Sequence, residues 1–243
     1  MTEIIAHRGG AILWPENSLM AFRGAIAAGV DAVECDVHLS ADGEVMVMHD
    51  PTLDRTSNGR GTVAARSAEQ LSETKLISAG GEGVPRLSEL VGLVAPSRSG
   101  MQLEIKLDAA GHPYPGILDR VLAELDQGQL RARTELIVFE AEMAAAGLAA
   151  GGFRNVAWLF APATLAKLGI GGVLAVVRHI GVGMVETHEA VMDAELLAAL
   201  RGAGLRVGAW GVNHAASIER MLGLGLDAIA TDDPVLAMKM RGR

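Results

Sequence analysis

The chain has 243 residues, enough for one α/β barrel or two smaller domains and enough to bury a core without disulfide staples. Its 29 Asp and Glu against 21 Lys and Arg give a net charge of −8, and aromatic residues are only 3% of the total. With no Lys/Arg run either, that balance argues against a nucleic-acid-binding surface. A small anionic ligand would be repelled by the whole, so any phosphate site needs concentrated local positive charge.

Cys35 is the only cysteine, so no disulfide framework exists within one chain, and its place between Glu34 and Asp36 marks it as a buried small hydrophobe. The first residues carry Glu3 and no long apolar run before His7, unlike a secretory signal. The apolar stretch 171–185 is broken by Arg178, His179 and several glycines, which does not suit a membrane span. The expectation is a soluble, cytoplasmic protein.

Short β-type runs alternate with helical patterns almost to the end. Strands are expected at 3–7, 30–37, 44–49, 101–107, 134–139, 155–160, 182–187, 205–211 and 226–231. Helices are expected near 18–28, 87–95, 114–126, 141–150, 163–178, 193–202, 214–223 and 234–240, with Gly29 closing the first, and Asn213 and Asp233-Pro234 opening the last two. Such alternation implies parallel strands with crossover helices. An open doubly wound sheet loses support because no G-x-G-x-x-G follows the first strand. Eight strand–helix units fit a (β/α)8 TIM barrel, whose usual size is about 250 residues.

The segment from about 50 to 85 breaks the rhythm, being too long for an ordinary strand–helix loop. It reads as a small insertion after the second strand, at the C-terminal mouth of the barrel, with a short helix near 67–75. It is expected to lack a core of its own and to pack as a partial lid on one TIM-barrel domain spanning 1–243.

Residues two apart on a strand share a face, so Glu34 and Asp36 point one way while Val33, Cys35 and Val37 point the other. Glu104 and Lys106 share a face by the same count. Charges at the C-terminal ends of barrel strands sit where active sites of this fold are built. Three carboxylates, Glu34, Asp36 and Glu104, would repel one another unless a cation neutralised them, and oxygen-only ligation suits Mg²⁺ or Ca²⁺. Taken singly, E-x-D is more often a solvated strand end, His7 a satisfied strand-end histidine and His49-Asp50 a capped turn. Their recurrence at successive strand ends is what singles them out.

In order along the chain stand HRG (His7 to Gly9), PENS (Pro15 to Ser18), E-x-D (Glu34, Asp36), HD-x-x-L-x-RT (His49 to Thr56), VPRLSEL (Val84 to Leu90), LEIK (Leu103 to Lys106), AWGVN (Ala209 to Asn213) and GLDAIATDDP (Gly225 to Pro234). With these marks the chain resembles the glycerophosphodiester phosphodiesterase family of the bacterial type. The resemblance implies a (β/α)8 barrel with an insertion after the second strand, and cleavage of glycerophosphodiesters to sn-glycerol 3-phosphate and an alcohol. It implies Glu34, Asp36 and Glu104 as ligands of a divalent cation. His7 and His49 match the acid–base pair, Arg8 and Lys106 the phosphate-binding cations, and Trp210 an aromatic wall of the glycerol pocket. Of the two histidines, His7 is preferred as base and His49 as acid. The partner is thus a small-molecule substrate; association into a homo-oligomer is left open.

Three departures from the family pattern stand out. Val138-Phe139 replaces Ser-Phe, Gly211 replaces a threonine after Trp210, and VETHE places Glu186 and His188 where charge is not expected. An exposed loop is the favoured account of Glu186 and His188, ahead of a role in headgroup recognition. Two rival functions are weighed: a catalytically inert phosphoester-binding barrel, which should have lost one of the matched residues, and a phospholipase D-type hydrolase of lysophospholipids, which should carry disulfides and a secretion signal.

Overall fold

The computed structural model describes residues 1–242. β1 (Glu3–Ala6) leads through a 3-10 turn into α1 (Leu19–Ala28), whose ends follow cap chemistry: Ser18 Oγ accepts from Ala21 N at 3.0 Å, and Gly29 closes it in the left-handed conformation. β2 (Ala32–Leu39) turns back into β3 (Val45–Val47), followed by α2 (Ala68–Glu73) and α3 (Leu87–Val94). Then come β4 (Gly100–Ile105), α4 (Ile117–Gln127), β5 (Thr134–Val138), α5 (Ala141–Ala150), β6 (Asn155–Phe160) and α6 (Pro162–Ile180). The chain ends with β7 (Met184–His188), α7 (Ala194–Gly202), β8 (Arg206–Trp210), α8 (Ala215–Leu224), β9 (Ala228–Thr231) and α9 (Pro234–Arg241).

Strand pairing closes the sheet. β1 pairs in parallel with both β2 and β9, and β2, β4, β5, β6, β7, β8 and β9 follow one another round the wall. The result is the expected (β/α)8 barrel. The expected strand at 44–49 does form, as Val45–Val47, but it runs antiparallel against Val37–Leu39 and stands outside the parallel wall. Asn213 does not open α8: its side chain is spent on Asp232, and His214 takes the cap position.

Alternation along the strands makes two environments. Val33, Cys35, Val37, Leu103 and Ile105 face outward into the main core beneath the helices. Ile5, Ile137, Ala157, Leu159 and Met184 fill part of the barrel interior. A polar layer shares that interior, with Gln102, Glu135 and Glu186 all buried.

The insertion corrects one expectation. Met46, Met48, Leu53, Val63, Ala68, Leu71, Leu76, Ala79 and Val84 form a separate buried cluster beneath the segment. The β2–β3 hairpin supplies two methionines from below, which lets so short a segment hold a core. α6 is the one helix among the described residues long and apolar enough to cross a membrane by length and composition, with 19 residues and mean hydropathy 1.4. It is interrupted at Gly169 (φ 64°, ψ 175°), and the stretch 171–185 is divided between its end and the start of β7.

Candidate active site

The acidic residues meet because of register. Asp36 on β2 stands opposite Glu104 on β4, and Glu34 opposite Gln102. One oxygen from each of Glu34, Asp36 and Glu104 lies within 4.8 Å of the others, and all three residues are buried. Glu34 Oε1 and Asp36 Oδ1 make no hydrogen bond among the described residues. Burial, and then the charge of Asp36, push the Glu34 carboxyl up to about 8. Burial raises Glu104 to about 7 against the pull of Lys106. Asp36 is held below the ordinary carboxylate range: Lys106, His49 and Arg8 around it outweigh its burial. Three carboxylates this close cannot all ionise without added positive charge, so the donor set fits a hard divalent cation held through oxygen.

Two fixed cations border the cluster. Arg8 sits at φ 52°, a left-handed conformation costly for a side chain with a Cβ, and this turns its backbone N onto Glu34 Oε2 at 2.7 Å. Its guanidinium Nη1 donates to Glu16 Oε1 at 3.1 Å, with Nε 3.6 Å from Asp36 Oδ2. Lys106 Nζ donates to Glu104 Oε1 at 2.7 Å and lies 3.0 Å from Asp36 Oδ1, an ion pair without hydrogen-bond alignment. Lys106 is raised because Asp36 and Glu104 outweigh its burial, so it stays charged.

Each candidate histidine has a carboxylate behind it. His7 Nδ1 lies 2.6 Å from Asp232 Oδ1, and Asp232 Oδ2 accepts from Asn213 Nδ2 at 2.6 Å. His49 Nδ1 lies 2.7 Å from Asp50 Oδ1, and Arg55 Nε donates to Asp50 Oδ2 at 2.6 Å. A carboxylate only accepts, so the proton sits on each Nδ1 and each Nε2 is left for the pocket. The environments differ in sign. His7 is held above its ordinary value because Asp232 and Glu34 outweigh its burial. His49 is held below its own by burial, with Lys106 and Arg8 adding to it against Asp36.

His7, Arg8, Glu34, Glu104 and Lys106 line one cavity of about 140 Å³, which runs from His49, Phe139 and Trp210 at the mouth to Gln102 and Glu186 at its base. The structure therefore brings His7, Arg8, Glu34, His49, Glu104, Lys106 and Trp210 together around one space, with Asp36 buried immediately behind.

The family model for the glycerophosphoryl diester phosphodiesterase family matches residues 7–116 and 134–236. The chain belongs to this family. It is 31% identical over 251 residues to a glycerophosphodiester phosphodiesterase of Bacillus altitudinis, covering 99% of this chain and 98% of that one. A second, from Caldanaerobacter subterraneus subsp. tengcongensis, is 30% identical over 247 residues, with coverage of 96% and 95%. A crystal structure of an Agrobacterium tumefaciens protein, assigned as a glycerophosphoryl diester phosphodiesterase, superposes with a TM-score of 0.97 at 30% identity, over 100% of this chain and 98% of that one.

Two departures from the family pattern prove to be one arrangement. Glu186 is not on an exposed loop, as the sequence suggested, but 1% exposed inside the barrel. A Cβ on Gly208 of the neighbouring strand would lie 2.9 Å from its Cδ, Cγ and Oε1. Likewise, a Cβ on Gly211 (φ +76°) would lie 2.7 Å from His188 Nε2. The bulk added on β7 thus occupies space left by a glycine on β8 and another just past its end, and His188 packs edge-on against Trp210 with ring centroids 4.5 Å apart.

Sequence reasoning missed the orienting shell. Asp50 and Asp232 were visible only as letters within the HD and TDDP marks. Asn17, whose Nδ2 donates to Asp36 Oδ2 at 2.8 Å, was hidden within PENS. His38 and Tyr114 behind His49 had no local signal.

Proposed function

We propose that the chain hydrolyses glycerophosphodiesters to sn-glycerol 3-phosphate and an alcohol, with Glu34, Asp36 and Glu104 holding Mg²⁺ or Ca²⁺ and with His7 and His49 exchanging the protons. The observation that carries the reading is the buried cluster of Glu34, Asp36 and Glu104, with Glu34 Oε1 and Asp36 Oδ1 making no hydrogen bond among the described residues, beside a cavity lined by two cations and two carboxylate-oriented histidines. The whole chain is read as one barrel domain serving this site, with the insertion holding Asp50 and Arg55 beside it.

A bound divalent cation would neutralise charge on the non-bridging phosphate oxygens. Arg8 and Lys106 add fixed positive charge there, overcoming the acidic balance of the chain. The substrate's 2-hydroxyl oxygen attacks phosphorus while its proton passes to a histidine Nε2. The bond from phosphorus to the headgroup oxygen breaks, and the other histidine protonates the leaving alkoxide. Water then opens the cyclic phosphate with the two roles exchanged.

The opposed environments favour His49 as first base and His7 as first acid, the reverse of the preference drawn from sequence. An acid must be protonated and a base neutral at the same pH. That is met over a wide range when the acid has the higher pKa, as the directions at His7 and His49 provide. Burial of His7 opposes its shift, and the Asp232 hydrogen bond, followed by the charge of Glu34, holds it up.

The test is release of sn-glycerol 3-phosphate from glycerophosphocholine and glycerophosphoethanolamine with Mg²⁺, with Ca²⁺ and with chelator. Cation-dependent release from either is the expected result. A folded sample that binds the cation and releases nothing would instead support the inert binding barrel.

A further inference from the structure

Glu186 plays no part in the chemistry above, yet it is held in place at the base of the catalytic cavity. Its Oε1 accepts from Gln102 Nε2 at 2.7 Å, and the same amide nitrogen donates to Glu135 Oε1 at 2.7 Å. Both amide hydrogens are thereby used, so Gln102 cannot turn without losing a buried partner. Gly208 keeps open the space that the Glu186 carboxyl fills. The second oxygen, Oε2, has no hydrogen-bond partner among the described residues, although Glu186 is 1% exposed and lines the cavity. Open to the cavity and without a partner, that oxygen is free to accept a hydrogen bond from a ligand hydroxyl.

From these contacts we infer that Glu186 accepts a hydrogen bond from the terminal hydroxyl of the glycerol, so that the site selects substrates whose glycerol end is free and rejects those acylated at that oxygen. The inference rests on the hydrolysis proposed above and names its substrate class.

Depth supports the assignment. Gln102 lies two residues deeper along β4 than Glu104, about 6–7 Å at the usual rise of a strand. A three-carbon chain with an oxygen at each end spans a similar distance. A phosphate beside Arg8 and Lys106 would therefore put the far hydroxyl of an inward-pointing glycerol near Glu186. The intervening walls, Ile137, Leu159 and Ala230, carry no side-chain donor or acceptor, and Gln102 Oε1 is the one other unpartnered acceptor at the base among the described residues. In-line displacement directs the leaving alcohol away from the attacking glycerol oxygen, which sends the headgroup toward the mouth. A carboxyl accepts from a hydroxyl whether or not it is ionised. An ester at that position offers no hydrogen to donate and brings an acyl chain to a closed end.

The experiment compares kcat/KM for glycerophosphocholine with that for its analogue lacking the terminal hydroxyl, in the wild type, Glu186→Met and Gly208→Ala. The wild type should prefer the hydroxylated substrate by roughly 10- to 100-fold, the scale of leaving an acceptor unpaired in a closed site. Glu186→Met removes both oxygens at similar volume, whereas Gly208→Ala keeps the carboxyl but displaces it. Both should narrow the preference to a few-fold, and by the same factor with an ethanolamine headgroup. Equal losses on the two substrates, or losses that follow the headgroup, would overturn the inference while leaving the hydrolysis intact. Failure of the wild type to cleave any glycerophosphodiester would overturn both.

Discussion

His7 Nδ1 and Asp232 Oδ1 lie 2.6 Å apart although the residues stand near opposite ends of the chain. The pairing of β1 with β9, Ala6 opposite Thr231, places them side by side where the barrel closes. Asp232→Asn keeps the shape and removes the charge. We expect kcat to fall about 100-fold or more, the usual scale for a disabled proton donor. Because Asp232 raises His7, its loss should also move the alkaline limb of activity to lower pH. An unmoved limb in the pH–rate profile would remove Asp232 from that role.

The wild-type profile should itself be bell-shaped. His49 must be neutral to accept a proton and is held below 6.5, so the acid limb should lie below that value. His7 must be protonated to donate and is held above 6.5 by Asp232 and Glu34 against its burial, so the alkaline limb should lie above that value. Measured at saturating cation, His49→Ala should erase the acid limb along with most turnover while leaving substrate binding nearly intact. Full turnover by that variant would end the assignment.

Strand positions and the inward placement of Glu34, Asp36 and Glu104 were legible because period-two alternation is a local signal. Cys35 was placed in the outer core for the same reason. The orienting residues were not legible. Asp232 supports His7 only through barrel closure, and Asn17 reaches Asp36 only through a left-handed turn at φ 53°. Glu186 was misjudged as exposed because nothing in VETHE reveals that Gly208, on the next strand, leaves room for it inside. The insertion's core was missed because two of its members, Met46 and Met48, belong to the hairpin that precedes it.

Glu104→Gln separates cation binding from folding. Glu104 is buried and repelled by Asp36, so a neutral amide there should not lower the stability of the cation-free protein appreciably. It should weaken the cation by at least about tenfold, or about 1.4 kcal/mol. Calorimetric titration with Mg²⁺ and Ca²⁺, beside thermal melts with and without each, reads both effects. An unchanged isotherm would strike Glu104 from the ligand set.

Leu71→Ala tests the small core under the insertion. Leu71 is fully buried within that cluster, and truncating such a leucine costs about 2–5 kcal/mol depending on how far the cavity collapses. Hydrogen exchange should accelerate across 53–84 more than along the barrel strands. Uniform acceleration would mean that the segment opens only with the whole barrel.

Tyr114→Phe tests the support behind His49. His38 Nδ1 is 3.0 Å from Tyr114 Oη, and His38 Nε2 is 3.1 Å from the carbonyl oxygen of His49. That carbonyl only accepts, so Nε2 carries the proton and Nδ1 receives one from the tyrosine hydroxyl. Burial holds His38 down to about 4 and lifts Tyr114 to about 12, which keeps the imidazole neutral and the phenol protonated. Removing the hydroxyl leaves a buried nitrogen without a partner, at a cost of about 1–3 kcal/mol, and no longer selects the tautomer that faces His49 correctly. We therefore expect kcat to drop several-fold with KM nearly unchanged, alongside the loss of stability in urea. Lower stability with unaltered kcat would make the pair a packing feature of the β2–β3 hairpin, with no bearing on how His49 is aimed.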